Sequence, residues 1–384
     1  MPRKLVVLGC TGSIGQQALD VVRALPGRFE IVGLAGGSNL AILQRQVTEF
    51  QPRYVYAATK SSECSFAGSR YMPMEEMASL PDLDLVLVAT VGTVGLKPTL
   101  AALAAGNRVA IANKEVLVMA GELVAAEARA HHLPLLPVDS EHSAIWQCLR
   151  GEVGESWAEF HPSVSRLLLT ASGGAFRDWQ PGQLREVTPE QALAHPNWRM
   201  GPKVTVDSAT LMNKGFEAIE AHWLFGVPYD RIDVVLHRES IVHSLVEFVD
   251  GSLKAQLASP DMRLPIQYAL TYPDRLPSPV APLDLARLGR LTFGEVDRGR
   301  YPCFQLALEA AAKGGAYPAV LSAADEEAVR AFLAGSIAFT DIAGLVSSTL
   351  EAYSGARPAS LDEIMDVDAW ARAEALAWVS RHGR

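Results

Sequence analysis

The sequence predicts an α/β protein in three parts, and three observations carry that expectation. Short apolar runs alternate with helical patterns from residue 3 to 139, the order of a doubly wound parallel sheet. From about 140 to 271 the order shifts to α+β. Beyond about 299 the chain is alanine-rich and helical. At 384 residues it is long enough for several domains with a sizeable core. A net charge of −9 without a basic run makes nucleic acid and anionic membranes poor partners. Cys10, Cys64, Cys148 and Cys303 are scattered and form no C-x-x-C, which points to a reducing, cytoplasmic setting and away from zinc or disulfides. The apolar run at the N-terminus is too short for a signal peptide, and no uncharged stretch is long enough to span a bilayer.

In the first part, residues 4–9, 29–35, 54–58, 84–90, 108–112 and 133–139 read as strands. Each is a continuous apolar run, as strands buried on both faces should be. Residues 14–25 and 41–50 read as helices between them. The first strand ends in Gly9, Gly12 and Gly15, a G-x-x-G-x-x-G turn that opens a helix, the context a dinucleotide-binding turn requires. Roughly twenty residues on, where an NAD enzyme carries an acid for the ribose 2′-hydroxyl, the chain has Ala35, Gly36, Gly37, Ser38 and Asn39. With no carboxylate there and room for a 2′-phosphate, NADP is favoured, so the first domain is a Rossmann-type NADP-binding unit.

Two later strand ends lead into polar residues, where open α/β sheets bind ligands. One leads into Asn113, Lys114 and Glu115, the other into Asp139, Ser140 and Glu141. The Asp-x-Glu pair either caps the helix predicted over 141–151 or, with Glu217, makes a site for a hard cation. Three carboxylates without Cys or His specify Mg²⁺ or Mn²⁺, with Co²⁺ as a further option, rather than zinc.

The stretch 195–222 carries most of the remaining chemistry. Pro196, Asn197, Gly201 and Pro202 make residues 195–202 a loop around Trp198. Asp207 and Ser208 read as the N-cap of a helix that runs to Gly226, with Met212, Phe216, Ile219 and Trp223 as its apolar stripe and Asn213, Glu217 and Glu220 on another face. Ser208, Asn213 and Lys214 form a donor set near a helix N-terminus, which suits a phosphate. The run 164–172 reads as a strand ending in Ser172, Gly173 and Gly174, a backbone able to approach an anion closely. Residues 232–257 read as strands with a hairpin turn at Asp250 and Gly251, and His237 within them is assigned a structural role. The domain expectation is 1–138 for the cofactor, 139–271 for catalysis and dimerisation, 272–298 as a proline-marked linker, and 299–384 as a helical bundle.

Taken together, GCTGSIG at 9–15, ANKE at 112–115, PVDSEHSAIWQ at 137–147, TASGGAF at 170–176, HPNWRMG at 195–201 and VDSATLMNKGFEAIEAH at 206–222 resemble the 1-deoxy-D-xylulose-5-phosphate reductoisomerase family along essentially the whole chain. The resemblance implies that Asp139, Glu141 and Glu217 hold Mg²⁺ or Mn²⁺. It implies that Ser172, Ser208, Asn213 and Lys214 bind the phosphate end of a sugar phosphate. Lys114, Ser140 and His195 would contact the sugar, with Trp198 on a lid over it. Thr11, Gly12, Ser13, Ile14, Gly37, Ser38, Asn39, Asn113, Glu115 and Gly201 would line the NADPH site. The implied enzyme is a homodimer of the non-mevalonate isoprenoid precursor pathway that converts 1-deoxy-D-xylulose 5-phosphate to 2-C-methyl-D-erythritol 4-phosphate.

Three departures stand out. Ser38 replaces a Lys or Arg of some relatives, Arg199 replaces a common Ser, and LSAADE at 321–326 replaces a more usual NAANE, a change expected to affect packing only. The competing readings are a semialdehyde or acyl-phosphate dehydrogenase, which would need a nucleophilic cysteine such as Cys148, and a non-catalytic NADP-binding protein.

Overall fold

The computed structural model describes residues 1–59, 66, 68–152 and 159–383; Cys64 lies outside them. Strands β1 (Arg3–Leu8), β2 (Phe29–Gly36), β3 (Tyr54–Ala57), β4 (Arg70–Tyr71), β5 (Leu85–Val88), β6 (Val109–Ile111) and β7 (Leu136–Pro137) form one parallel sheet in the order β4-β3-β2-β1-β5-β6-β7. Helices α1 (Ser13–Ala24), α2 (Leu40–Phe50), α3 (Met74–Ala78), α4 (Leu96–Ala104) and α5 (Lys114–Ala130) complete this part. Leu5, Val6, Val7 and Leu8 of β1 have no exposed surface. Cover on both faces is why these strands read as unbroken apolar runs. Six of the seven strands fall on such runs. The exception is β4, two exposed residues with no apolar signal, which forms by pairing with β3. Strand order reverses between β1 and β5, so a crevice opens beyond their carboxyl ends.

The middle of the chain contributes α6 (Ser140–Leu149), β8 (Val164–Ala171), α7 (Pro189–Ala192), α8 (Pro202–Thr210), α9 (Met212–Phe225), β9 (Ile232–Leu236), β10 (Val242–Phe248), β11 (Leu253–Leu257) and α10 (Arg263–Thr271). The β10–β11 turn is where the sequence puts it: the Ser252 amide and hydroxyl both donate to Asp250 Oδ1, and Gly251 takes φ +84°. The stretch 272–298 is more than a bare connection. It contains α11 (Leu285–Leu288), capped by Asp284, and β12 (Gly294–Glu295), which pairs antiparallel with β9. The second sheet therefore runs β11-β10-β8-β9-β12. Prolines mark the irregular backbone here, but an edge pairing of two residues is decided by contact rather than by local pattern.

Helices α12 (Pro302–Lys313), α13 (Tyr317–Leu333), α14 (Asp341–Ala352) and α15 (Leu361–His382) close the chain. Ala319, Ala323, Ala324 and Ala328 line the buried side of α13, and such small side chains let neighbouring helices approach closely.

The helix expected from Asp207 starts earlier and is broken. Gly201 is the N-cap of α8 and Pro202 its first residue, where a missing N–H costs nothing. Asp207 and Ser208 lie inside α8, and Asp207 is buried on Lys203 rather than capping. The break is Leu211, in the left-handed region at φ 58° with its side chain buried. Such a conformation costs about 1–3 kcal/mol and persists only where the surroundings hold it. Here Thr210 Oγ1 accepts the Met212 N–H. The break creates a fresh helix N-terminus at Met212, with Asn213 and Lys214 in its first turn. Of the stripe, Met212, Phe216 and Ile219 are buried and Trp223 partly so, but Glu217 and Glu220 on the polar face are buried as well.

Candidate active site

Asp139 follows β7 as the N-cap of α6, yet its side chain makes no cap hydrogen bond. The carboxylate instead accepts from Lys114 Nζ at 2.5 Å, which decides against the capping alternative. Asp139, Glu141 and Glu217 each place one carboxylate oxygen within 4.8 Å of the others. Two ammonium groups flank them. Lys114 Nζ lies 3.5 Å from Glu217 and 3.4 Å from Glu220, and Lys214 Nζ contacts both Glu141 and Glu217. Burial pushes the Glu217 carboxyl up, Glu141 adds to that, and the two lysines oppose it; the net is about 8. Burial would likewise raise Asp139, but Lys114, His142 and Lys214 hold it below the usual carboxylate range. The three crowded carboxyls present hard oxygen donors to one point, which fits Mg²⁺ or Mn²⁺.

A deeper layer fixes that set. His142 Nε2 lies 2.8 Å from the Glu217 carbonyl, and Glu220 is buried beside Lys114. Asn213 Nδ2 donates to Glu217, and Ser140 Oγ to Glu141.

Around the carboxylates a cleft of about 190 Å³ brings together Lys114, Asp139, Ser140, Glu141, Ser172, His195, Trp198, Gly201, Ser208, Asn213, Lys214 and Glu217, and Ser13 and Ile14 line it too. Gly174 lets the 172–174 turn meet α8: at φ +72° it comes so close that a Cβ would lie 2.4 Å from the Ser208 carbonyl. Ser172 and Ser208 thus face one subsite with the N-terminus of α9. Lys214, expected there as a phosphate donor, spends its ammonium on Glu141 and Glu217 in this arrangement.

The 195–201 segment is a bonded turn. The amides of Asn197 and Trp198 donate to His195 Nδ1, and His195 Nε2 is 2.9 Å from Ser172 Oγ. Asn197 Nδ2 reaches the Arg238 carbonyl and Ser240 Oγ. Trp198 is half-buried against His243, ring centroids 6.0 Å apart, while Arg199 is exposed at the cleft rim.

The nucleotide end follows the glycine turn. Gly9, at φ +89°, and Gly15 pack where a Cβ would meet backbone at 2.3 and 2.2 Å, whereas Gly12 is the exposed N-cap of α1. Bare backbone amides at an open helix N-terminus fit a pyrophosphate. Gly37, Ser38 and Asn39 are exposed at the end of β2, tied to this turn by the Gly37 amide on Thr11 Oγ1. Asn39 and Asn113 serve as N-caps of α2 and α5, and Asn113 also donates to Thr90 and Gly92. Glu115 lies beside Lys203 rather than in the cleft.

The sequence reading missed part of the wall: Gln17, Ser240, His243 and Met262 line the cleft too, as does His237. His237 does have the structural role assigned to it. Two backbone amides, Ile241 and Val242, donate to its Nε2, so Nδ1 carries the proton and donates to the Thr292 carbonyl. No periodicity marks His243 or Ser240; a histidine beginning an apolar strand looks like any other core position.

Models of the DXP reductoisomerase family match residues 5–121 (1-deoxy-D-xylulose 5-phosphate reductoisomerase), 135–225 (its C-terminal domain) and 257–374 (DXP reductoisomerase C-terminal domain). The 1-deoxy-D-xylulose 5-phosphate reductoisomerase of Geobacillus kaustophilus is 52% identical over 377 residues, covering 96% of this chain and 97% of its own. That of Gloeobacter violaceus is 50% identical over 389 residues, covering 98% and 97%. A crystal structure of DOX-P reductoisomerase in complex with NADPH, fosmidomycin and magnesium superposes with a TM-score of 0.93 at 40% identity over 100% of both chains. The Zymomonas mobilis enzyme in complex with NADPH gives 0.90 at 39% over 99% of both. With half its residues shared along nearly its whole length, this chain belongs to the 1-deoxy-D-xylulose 5-phosphate reductoisomerase family.

Proposed function

We infer that this chain converts 1-deoxy-D-xylulose 5-phosphate to 2-C-methyl-D-erythritol 4-phosphate with NADPH and Mg²⁺, a step towards isoprenoid precursors. The observation that carries the reading is the convergence of Asp139, Glu141 and Glu217 in a cleft that Ser13 and Ile14 of the glycine turn also line. The structural relatives with NADPH and magnesium bound support the same pair of cofactors.

A cation held by the three carboxylates supplies Lewis-acid polarisation of a carbonyl and an adjacent hydroxyl, and NADPH on the glycine turn supplies the hydride. The chain's own groups do the rest. Lys114 and Ser140 orient the sugar oxygens beside the carboxylates. Ser172, Ser208, Asn213 and Lys214 hold the phosphate, which fixes the reacting carbons relative to the cofactor. His195 holds the turn that carries Trp198, and that indole covers the substrate so the intermediate aldehyde neither hydrates nor escapes. Mn²⁺ and Co²⁺ are proposed as alternative ions because an all-oxygen donor set discriminates weakly among them.

We assign residues 1–138 to the cofactor, 139–271 to catalysis and 299–384 to a supporting bundle. A homodimer is supported by the edge position of β11, with Val249 and Leu253 exposed beside it. A cytoplasmic setting is supported by three buried free thiols, Cys10, Cys148 and Cys303.

The dehydrogenase alternative needs a reactive thiolate. Cys148 is buried, its thiol pushed up to about 11 by burial, and it does not line the cleft. EDTA treatment followed by Mg²⁺ or Mn²⁺ tests the assignment. Turnover should vanish and return; turnover that survives chelation would favour a metal-free dehydrogenase, and none under any condition a binding protein.

A further inference from the structure

The bundle contributes a charged residue to an ionic cluster at the start of α8. Lys203 is the second residue of α8, directly after Gly201 and Pro202, where the 195–201 segment ends. Its Nζ lies 2.6 Å from Asp207 Oδ2, 2.8 Å from Asp325 Oδ2 of α13 and 3.9 Å from Glu115 Oε1 of α5, over the Phe216 ring at 4.5 Å. Asp207 and Asp325 are buried, at 1% and 0% exposure. Cys303 of α12 faces the same carboxylates, its thiol pushed up by burial and by both of them. One ammonium, itself partly exposed, faces three carboxylates here, two of them buried. Burial and Asp325 accordingly push the Asp207 carboxyl well above its usual range, against the pull of Lys203.

A buried ionic cluster is a poor source of stability compared with apolar packing of the same volume, but it fixes one geometry. What this one fixes is the first turn of α8, into which the Trp198–Gly201 segment runs. At the other end of the segment, His195 and Asn197 are bonded to Ser172, Arg238 and Ser240. Only Trp198 to Gly201 lie between that anchor and α8. Glu115 also follows Lys114 directly, so the same ammonium faces the first turn of the helix that bears the Asp139-bound lysine. Asp325 is the aspartate in LSAADE, the departure expected to affect packing only; the structure gives it an ionic partner.

We propose that Lys203, held between Asp207 and Asp325, is a positioning residue that sets how the Trp198–Gly201 segment closes over bound substrate. The proposal rests on the reductoisomerase reading for its substrate.

The test uses the full-length enzyme with Mg²⁺ and NADPH, comparing wild type with Lys203→Met, Lys203→Arg and Asp325→Asn. The readouts are kcat, KM, NADPH affinity, Tm, and the Trp198 emission change with a phosphonate–hydroxamate mimic of the substrate. Lys203→Met should raise KM and the mimic's Kd about tenfold and shrink the emission change, with NADPH affinity held within about twofold. Lys203→Arg should restore most of both, and Asp325→Asn should fall between. A lower Tm with KM, mimic affinity and emission all unchanged would make the cluster merely structural and overturn the proposal. If Lys203→Met does not fold, Asp325→Asn decides alone by the same readouts. Mimic binding is read without turnover, so a wild type without turnover counts against the reaction while the role of Lys203 is still decided.

Discussion

The backbone amide of Trp198 donates to His195 Nδ1 at 3.0 Å, and the Asn197 amide donates to the same nitrogen at 3.1 Å. Two donors converging on Nδ1 require it to carry a lone pair, so the proton is on Nε2, which then donates to Ser172 Oγ. The neutral ring is therefore what holds the indole-bearing turn. A protonated Nδ1 would face two N–H groups.

The first prediction follows from that arrangement. Burial, with Arg177 and then Lys214, pulls His195 down from 6.5 to about 4. A depressed pKa contributes stability that is fully present above about 6.5 and is lost as pH falls through about 4. Imidazole NMR should show His195 neutral down to pH 5, with the turn loosening below that. An imidazole titrating at its ordinary 6.5 would contradict the assigned bonding.

Glu217→Gln should cut turnover by roughly a hundredfold or more while leaving NADPH affinity within about twofold. Because the wild-type carboxyl is pushed up to about 8 and must lose its proton to bind a cation, Mn²⁺ affinity should climb with pH and level off above about 8. Calorimetry across pH checks both; a Gln variant with the same pH slope would remove Glu217 from the ligand set.

Cofactor choice should favour NADPH, since the end of β2 presents Gly37, Ser38 and Asn39 and no acid. Ser38→Asp should lower kcat/KM for NADPH by about tenfold or more through repulsion of the 2′-phosphate, and change NADH little. Steady-state kinetics with both cofactors decide it, and a wild-type preference for NADH would sink the reading of residues 35–39.

Lys214→Ala should weaken binding of a phosphonate mimic by about 1.5–3 kcal/mol, the range for a hydrogen bond to a charged group. Since Lys214 also contacts Glu141 and Glu217, cation affinity should change in the same variant. If only the cation affinity moves, Lys214 is a partner of the carboxylates and not a phosphate ligand.

Arg199→Ser tests the exposed lid cation. Stopped-flow Trp198 emission, with Trp198→Phe as background, should show closure slowed severalfold as one charge attracting anionic ligands is lost, and the difference should fade with added salt. Equal closure rates at low salt would assign Arg199 to solvent.

Much of this was legible from residue order because the signals are local. Six strands of the first sheet and the glycine turn follow from apolar runs and from steric demands within a few residues; Gly9 and Gly15 have no room for a Cβ. The three carboxylates were found because a strand end and a helix face are local features as well. Tertiary structure decided the rest, because those features depend on partners distant in sequence. Whether the Asp139 carboxylate capped α6 or turned to Lys114 depended on α5, which brings that lysine in. The break at Leu211 depended on the burial of that residue, and the pairing of Lys203 with Asp325 on α8 meeting α13, residues that no periodicity connects. His243 joined the cleft by lying across from Trp198. Propensity and pattern act over one or two turns of chain, whereas a buried charge takes its role from whatever the fold places within a few ångströms.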